Sequence, residues 1–524
     1  MDSTTQPVAD RLLTARRRVR RLPLPMLAAA VLVTAITLIP LGFVLANTIE
    51  IGSTEAARLI FRPRTSELLR NTVVLTAACM TCCAVIGTGA AWLVERSALP
   101  GRSLFNVLLV APLAIPAFVN SYSWISIAPS ATGFGGALLV VTLSYFPFVY
   151  LPAAAALRGL DPAHDEVARS LGHGEWRTFR RIVLPQLRPA VLGGSLLVGL
   201  HLLAEFGALQ MVRFPTFTTA IYDQYQSTFN APAATMLGTV LVLCCLLLLL
   251  GELRLRGRAR YARTGSGAAR GLEPVALGRL TWPAFATLIV LAVLSLGVPL
   301  GSLGYWLAVG SSSGLELDLI ASTTSTSIGL GLVGALITTV AAIPVAWLYE
   351  RRRSRASTAL ERLTYTSSAL PGIVVALALV TIAVRLVPDL YQTTSVLVTA
   401  YVILLVPRAM VNVRATLAQT PPVFDDVAHS LGAGRWTTLR RVTLPLIAPG
   451  LGAGAAMVFL GVVTELTATL LLAPTGTRTL ATEFWNHSNS LAYGAAAPYA
   501  ALMVLISAPA TYLLTRKARQ EMTR

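Results

Sequence analysis

Runs of about 20 apolar residues recur along this chain, each long enough to cross a hydrocarbon layer ~30 Å thick as a helix. Inside that layer no water satisfies an open backbone, so a segment of this length and hydropathy is confined to the helical form. Twelve such runs lie near 22–49, 72–94, 104–125, 135–157, 190–211, 234–251, 282–309, 322–348, 363–386, 395–413, 450–472 and 493–514. Charged residues make up 13% of the chain and the mean hydropathy is +0.67, whereas soluble domains carry about 25% charged residues. The expected fold class is therefore an all-α polytopic membrane protein of about 12 transmembrane helices, with both termini on one side.

A net charge of +18 raises the question of nucleic acid or an anionic surface as partner. Its distribution answers for the membrane. With both termini cytoplasmic, 35 of the 42 Lys and Arg fall in cytoplasmic segments: the N-terminal tail, 95–103, 158–189, 252–281, 349–362, 408–449 and the C-terminal tail. The other seven, Arg58, Arg62, Arg64, Arg70, Arg213, Arg385 and Arg478, fall outside. That asymmetry is the positive-inside pattern, and nucleic acid is not an expected partner. The basic stretch Arg16–Arg21 precedes an apolar run longer than a signal-peptide core, so the first run reads as a retained helix.

The chain also contains one stretch twice. Residues 165–189 (DEVARSLGHGEWRTFRRIVLPQLRP) and 425–449 (DDVAHSLGAGRWTTLRRVTLPLIAP) align without a gap at an offset of 260, with 14 of 25 positions identical. Ala91–Arg96 and Ala346–Arg351 match at 255, as do Pro116 and Pro371, whereas Pro147 and Pro407 match at 260. Each half is one six-helix unit in the same orientation: 1–251 with a cytoplasmic loop at 158–189, and 282–524 with a loop at 414–449. The Gly-, Ser- and Arg-rich segment 252–281 reads as a flexible linker. Parallel repeats of this kind favour a pathway between the halves.

Within each loop the pattern suggests two short helices around a glycine break, at Gly172–Gly174 and Gly432–Gly434. Asp165 and Glu166 sit early in the first helix, where the helix dipole favours anions. The second helix carries Trp176, Phe179 and Ile182 on one face, or Trp436, Leu439 and Val442, and is expected to stop at Leu184-Pro185 or Leu444-Pro445. Such an element either docks into a groove on a soluble partner or packs on its own helix ends; two copies in equivalent positions favour docking. The five cysteines lie in apolar segments and read as packing residues, and no metal site is assigned. The five histidines are scattered without metal-ligand spacing, which argues against a membrane enzyme.

The motif E-x-A-x-x-x-G-…-I/V-x-L-P resembles the coupling loop of permease subunits in ABC-type importers. Here it is Glu166, Ala168, Gly172, Leu184 and Pro185, and again Asp426, Ala428, Gly432, Leu444 and Pro445, with Gly174, Trp176, Gly434 and Trp436 in the same loops. The resemblance covers nearly all of both halves and implies a permease fold in a bacterial cell (inner or plasma) membrane. It implies two ABC ATPase subunits seated on the loops, a solute-binding protein on the far side, and lipid around the chain. Asp426 in place of the glutamate marks one contact as shorter. The only lysine, Lys517, follows no glycine loop, so ATP and Mg would be used by separate ATPase subunits and no cofactor by this chain.

Glu205 and Glu465 occupy equivalent places in the fifth helix of each half. Glu205 is expected about 22 Å along that helix, in the outer half of the bilayer. Acids at such depth face a bundle interior or a water-filled path. They read either as a gate or transient cation contact, or as buried acids bonded to backbone or a nearby Thr. His201, one turn earlier, reads as packed and hydrogen-bonded. Beyond them, 215–226 and 474–487 are expected as outside loops, with Asp223, Tyr225, Glu483 and Trp485 forming a mouth for the binding protein. The stretches AEFGA, FTTAIY and TELTATLLLAPTGTRTLATEFW resemble those of the fused, two-half permeases of ferric-iron importers; thiamine permeases share the doubled architecture. The expected function is the permease of an ATP-driven importer, for ferric iron or alternatively for thiamine or another small solute. A 12-helix secondary transporter is the competing class, for which coupling acids or lysines mid-membrane, and no matched loops, would be expected.

Overall fold

The computed structural model describes residues 24–160, 170–172, 174–226, 231–255, 275–310, 316–420 and 423–520. Among the described residues nine helices are long and apolar enough to span a bilayer, two further candidate spans are bent helix pairs, and a shorter apolar helix covers Tyr493–Pro509. No strand forms among them; Ser97 and Val275 make one isolated bridge. The first half runs α1 Leu24–Ile51, α2 Pro63–Arg96, α3 Arg102–Ala114, α4 Ala117–Ile127, α5 Gly133–Arg158, α6 Leu184–Ala204, α7 Gly207–Met211, α8 Phe217–Gln226 and α9 Ala231–Leu255. The second runs α10 Gly278–Val309, α11 Leu317–Arg351, α12 Arg355–Ala369, α13 Gly372–Leu386, α14 Thr394–Gln419, α15 Val423–Ser430, α16 Leu444–Val463, α17 Thr467–Leu472, α18 Leu480–Asn489 and α19 Tyr493–Gln520.

Three features depart from straight spans, and each occurs in both halves. The runs 104–125 and 363–386 bend by 93° and 102° between α3 and α4 and between α12 and α13. The cause is the matched pair Pro116 and Pro371: a residue before proline is driven out of the helical region, and Ile115 (φ −101°, ψ 115°) and Leu370 (φ −88°, ψ 120°) are extended. The fifth runs are also broken, since α6 stops at Ala204 and α16 at Val463, with short helices following. The expected outside loops are helices, α8 and α18.

The expected stop at Leu184-Pro185 is not a stop. Phe179–Val183 forms a π-turn that runs straight into α6, and Leu439–Thr443 does the same before α16. A proline ring collides with the carbonyl four residues back in a regular helix; widening the turn relieves that collision, so the chain continues through Pro185 and Pro445. Of the expected linker, Glu252–Leu255 still belong to α9, and at its other end Val275 bonds to Arg96 O and Ala98 N at 2.8 and 2.9 Å. The linker residues between 256 and 274 lie outside the described residues.

The first helix of each half packs on the other half. Ala30 and Val44 of α1 share a core with Leu330, Ala342 and Ala346 of α11, and Thr34 meets Thr364 at 3.0 Å. Leu288 and Phe285 of α10 pack on the first half, where Phe285 meets Phe105 at 5.4 Å, and Ser302 bonds Ser126 at 2.9 Å. Within a half, glycines let α6 press on α5: a Cβ at Gly194 would lie 2.6 Å from Phe148 O. Cys79 and Cys83 are buried against Thr142, at 3.5 Å from its Oγ1 and 3.8 Å from its carbonyl.

Gly194→Leu is therefore expected to lower stability by about 1–3 kcal/mol, the usual cost of overpacking. Gly89→Leu, with nothing within 4 Å of its added Cβ, should leave thermal unfolding in detergent unchanged.

Candidate functional site

Where the broken helices of the two halves face each other, they enclose a cavity of about 350 Å³. Its wall takes Tyr145, His201, Glu205 and Phe206 from the first half and Tyr365, Arg408, Glu465 and Leu466 from the second. Leu197, Ser368 and Val411, on the side of the repeated loops, are exposed, while Phe206 at the opposite end is 1% exposed. The cavity is thus open toward the loops and closed at the far end.

Both acids stand at the breaks, where the short helix that restarts the chain leaves unpaired N–H groups. Glu205 Oε1 accepts from Ala208 N at 2.9 Å, capping α7, and Glu465 Oε1 accepts from Ala468 N at 3.1 Å, capping α17. Threonines bond their carbonyls, Thr218 to Glu205 O at 2.6 Å and Thr469 to Glu465 O at 2.7 Å; Tyr401 reaches Thr469 at 2.9 Å. The carboxylates therefore hold the breaks open while lining the cavity, so the two readings of these acids are not exclusive. Glu205 is the terminus of its helix rather than a residue within it.

The two halves differ beside the acids. Tyr145 donates to Glu205 Oε2 at 2.5 Å, but the equivalent residue is Leu405, and the Glu465 carboxylate has no such hydroxyl, only the backbone N–H groups of Ala468 and Thr467. Phe148 is replaced by Arg408 and His201 by Gly461. Arg408 sits midway along α14 with its side chain exposed on the cavity wall, not in the cytoplasmic segment where its charge was counted. An arginine directly after the apolar run 402–407 was the signal for this placement; the charge count absorbed it.

Aromatic rings close the far end. Phe206 packs against Tyr222 at 4.5 Å and Trp485 at 5.2 Å, while Phe484 meets Phe118 at 5.5 Å and Tyr122 at 5.3 Å. Of the residues expected at a mouth, Asp223 is exposed and Tyr225 half-buried. Glu483 and Trp485 are not at the surface: they are 8% and 4% exposed. Glu483 lies 3.9 Å from Arg478 and 3.8 Å from His487, and Trp485 belongs to the ring cluster. A helix at 480–489 turns one face inward, which a loop reading could not foresee.

In the second repeated loop α15 ends in a left-handed Gly432 (φ 83°), with Ala433 N bonding Ala428 O at 3.0 Å. That is the glycine-terminated helix end that satisfies orphan carbonyls. Gly172 (φ 76°) repeats the conformation; Glu166 and Ala168 lie outside the described residues, as do the side chains of Trp176, Asp426 and Trp436. Ala428 is buried, Gly174 and Gly434 exposed, Leu184 and Leu444 37% and 44% exposed, Pro185 half-buried and Pro445 exposed. The expected apolar ridge turns inward in part, since Phe179 packs on Trp92 at 5.8 Å. The exposed apolar face is instead Val423, Phe424, Val427 and Leu431.

Behind each loop an arginine ties spans together, two in the first half and three in the second. Arg158 pairs with Glu95 at 2.9 Å; Arg414 pairs with Glu350 at 3.0 Å and with Glu361, and its guanidinium lies 4.0 Å over the Tyr349 ring. The gapless repeat hides this correspondence, because Arg414 aligns with Ala154 and Arg158 with Ala418, one helical turn apart.

Comparison with known proteins follows the same division. Residues 84–260 and 339–519 each match the family described as binding-protein-dependent transport system inner membrane component. The Fe(3+)-transport system permease protein FbpB 2 of Haemophilus influenzae is 38% identical over 506 residues, covering 95% of this chain and 99% of its own length. The ferric transport system permease protein FbpB of Actinobacillus pleuropneumoniae is 23% identical over 71% of this chain and 57% of itself. The sulfate transport system permease protein CysT of Escherichia coli is 27% identical over 47% of this chain and 96% of itself, so it corresponds to one half. This chain belongs to the family of binding-protein-dependent transport inner membrane components, and carries two copies of it on one polypeptide.

Proposed function

We propose that the chain supplies both permease halves of an ATP-driven ferric-iron importer. The observation that carries this is the 38% identity along 95% of the chain to a protein named as an Fe(3+)-transport permease. The geometry supports a pathway between the halves: matched broken helices enclose a cavity open toward the loops and sealed by rings at the other end. Two ATPase subunits seat on the loops, with Val423, Phe424, Val427 and Leu431 as the apolar face of the second contact. Ion pairs at Arg158 and Arg414 pass a loop displacement to the second and fourth spans of each half. A solute-binding protein delivers cargo at the ring-sealed side. The termini lie on the loop side, the cytoplasm, as the charge asymmetry requires. ATP-driven closure of the ATPases then exchanges the open side of the cavity. The experiment is uptake of radiolabelled ferric ion by the permease reconstituted with its ATPase and binding protein; persistence of uptake without ATP would refute it.

Gly432→Val forces a β-branched residue into a left-handed conformation, at a cost of about 1–2 kcal/mol. It is expected to leave membrane insertion intact and to cut ATP-coupled uptake about tenfold or more, read as uptake per ATP hydrolysed. Phe206→Ala removes the centre of the ring seal. Reconstituted vesicles carrying it should leak small solute in the absence of ATP, while wild-type vesicles stay tight; equal tightness would show that the rings are not the seal.

A further inference from the structure

The ferric-iron reading leaves one charged group in the cavity without a role, and any part this group plays in iron transport rests on that reading. Arginine stays charged at any accessible pH, and an ionised group at mid-span is costly unless it is closely paired or a pathway uses it; the carboxylate that acts on Arg408 is Glu465, beyond ion-pair distance. No carboxylate oxygen lies within 4.0 Å of Arg408 among the described residues. Its hydrogen bond is to an uncharged ring: Nη2 donates to His201 Nε2 at 3.5 Å, while His201 Nδ1 donates to Leu197 O at 2.8 Å. A carbonyl only accepts and a guanidinium only donates, so the His201 proton sits on Nδ1 and Nε2 offers a lone pair. The imidazole, tilted by 34° against the Phe148 ring at 4.4 Å, orients the guanidinium without neutralising it.

The site is built by a replacement at two coupled positions. Where one half has Phe148 and His201, the other has Arg408 and Gly461. A Cβ at Gly461 would come within 3.4 Å of Arg408 Nη1 and 2.9 Å of Leu405 Cδ2, so the missing side chain makes room for the charged one. Opposite it, Glu205 is held by the Tyr145 hydroxyl and Ala208 N, whereas Glu465 is held by backbone N–H groups alone. Among the described residues no group of three His, Cys, Asp or Glu is placed to hold a metal ion. Hard cations take about six oxygen ligands, whereas a bare trivalent ion here would meet two carboxylates already bonded to the protein and a fixed positive charge.

We propose that Arg408 is an anion subsite on the pathway, taking a small oxygen-bearing anion of the phosphate, carbonate or carboxylate type. His201 is its positioning residue, and the Glu465 carboxylate faces the cationic side of the cargo. The anion arrives either free or as a ligand still on the metal ion; its contact with the guanidinium fork is the same.

The test uses the permease with its ATPase subunits in lipid nanodiscs, dialysed against radiolabelled phosphate and radiolabelled citrate, each with and without ferric ion. Wild type should bind at least one of the anions. Arg408→Gln should weaken that binding about tenfold or more, and Arg408→Lys, which keeps the charge but not the fork, about threefold. Equal binding by wild type and Arg408→Gln, or no binding of either anion by wild type, overturns the proposal. Should Arg408→Gln not assemble, Arg408→Lys and Gly461→Ala, which crowds Nη1, are compared with wild type under the same criterion. In proteoliposomes supplied with binding protein, anion entering in fixed ratio with ferric ion identifies the metal-borne source, and anion entering without it the free one. Arg408-dependent anion binding without ferric uptake would sink the iron reading and leave the subsite standing. Ferric uptake without anion binding would do the reverse.

Discussion

A helix that stops inside a bilayer strands backbone groups that only protein can satisfy. In this chain that constraint is met twice by a carboxylate turned back onto its own backbone, Glu205 onto Ala208 N and Glu465 onto Ala468 N. The cavity exists because the helices break there, and the breaks hold because the acids cap them. The remaining site follows from this: threonines take the orphan carbonyl side, and the short helices after the breaks bring Phe206 and Leu466 to the sealed end. An acid in such a place is structural and accessible at once, which is how a pathway acquires charge without an isolated ion in lipid.

The two halves keep the scaffold and differ in the chemistry. Caps, proline bends, π-turns before α6 and α16, and left-handed glycines in the loops recur at equivalent positions. The lining does not: Tyr145 faces Leu405 across the pseudo-two-fold, and Phe148 faces Arg408.

Much of this was legible in the residues. Apolar runs and the charge count yield a polytopic helical chain, and the offset of 260 finds both loops and both acids. The bends were signalled as well, by Pro116 matching Pro371, but hydropathy alone does not distinguish a straight apolar run from a folded one. The breaks at Glu205 and Glu465 carry no proline, so only the three-dimensional capping reveals them. Leu184-Pro185 looked like a terminus because a π-turn is invisible to spacing. Arg408 was masked by counting it with its cytoplasmic neighbours, and the Arg158–Arg414 correspondence by a one-turn shift.

The crossed packing of α1 and α10 bears on why one polypeptide holds both halves. Each half lends its first helix to the other, so neither presents a finished surface alone, and any two halves that met would be able to clasp. As separate chains, a pairing of like halves would give cavities with two Tyr145–Glu205 locks and no arginine, or with two arginines. A covalent tether removes that combinatorial problem, because the local partner is always the unlike half. Divergence at positions such as 148 and 408 is then free to accumulate, and the pathway becomes chiral in its charge while its walls remain nearly two-fold.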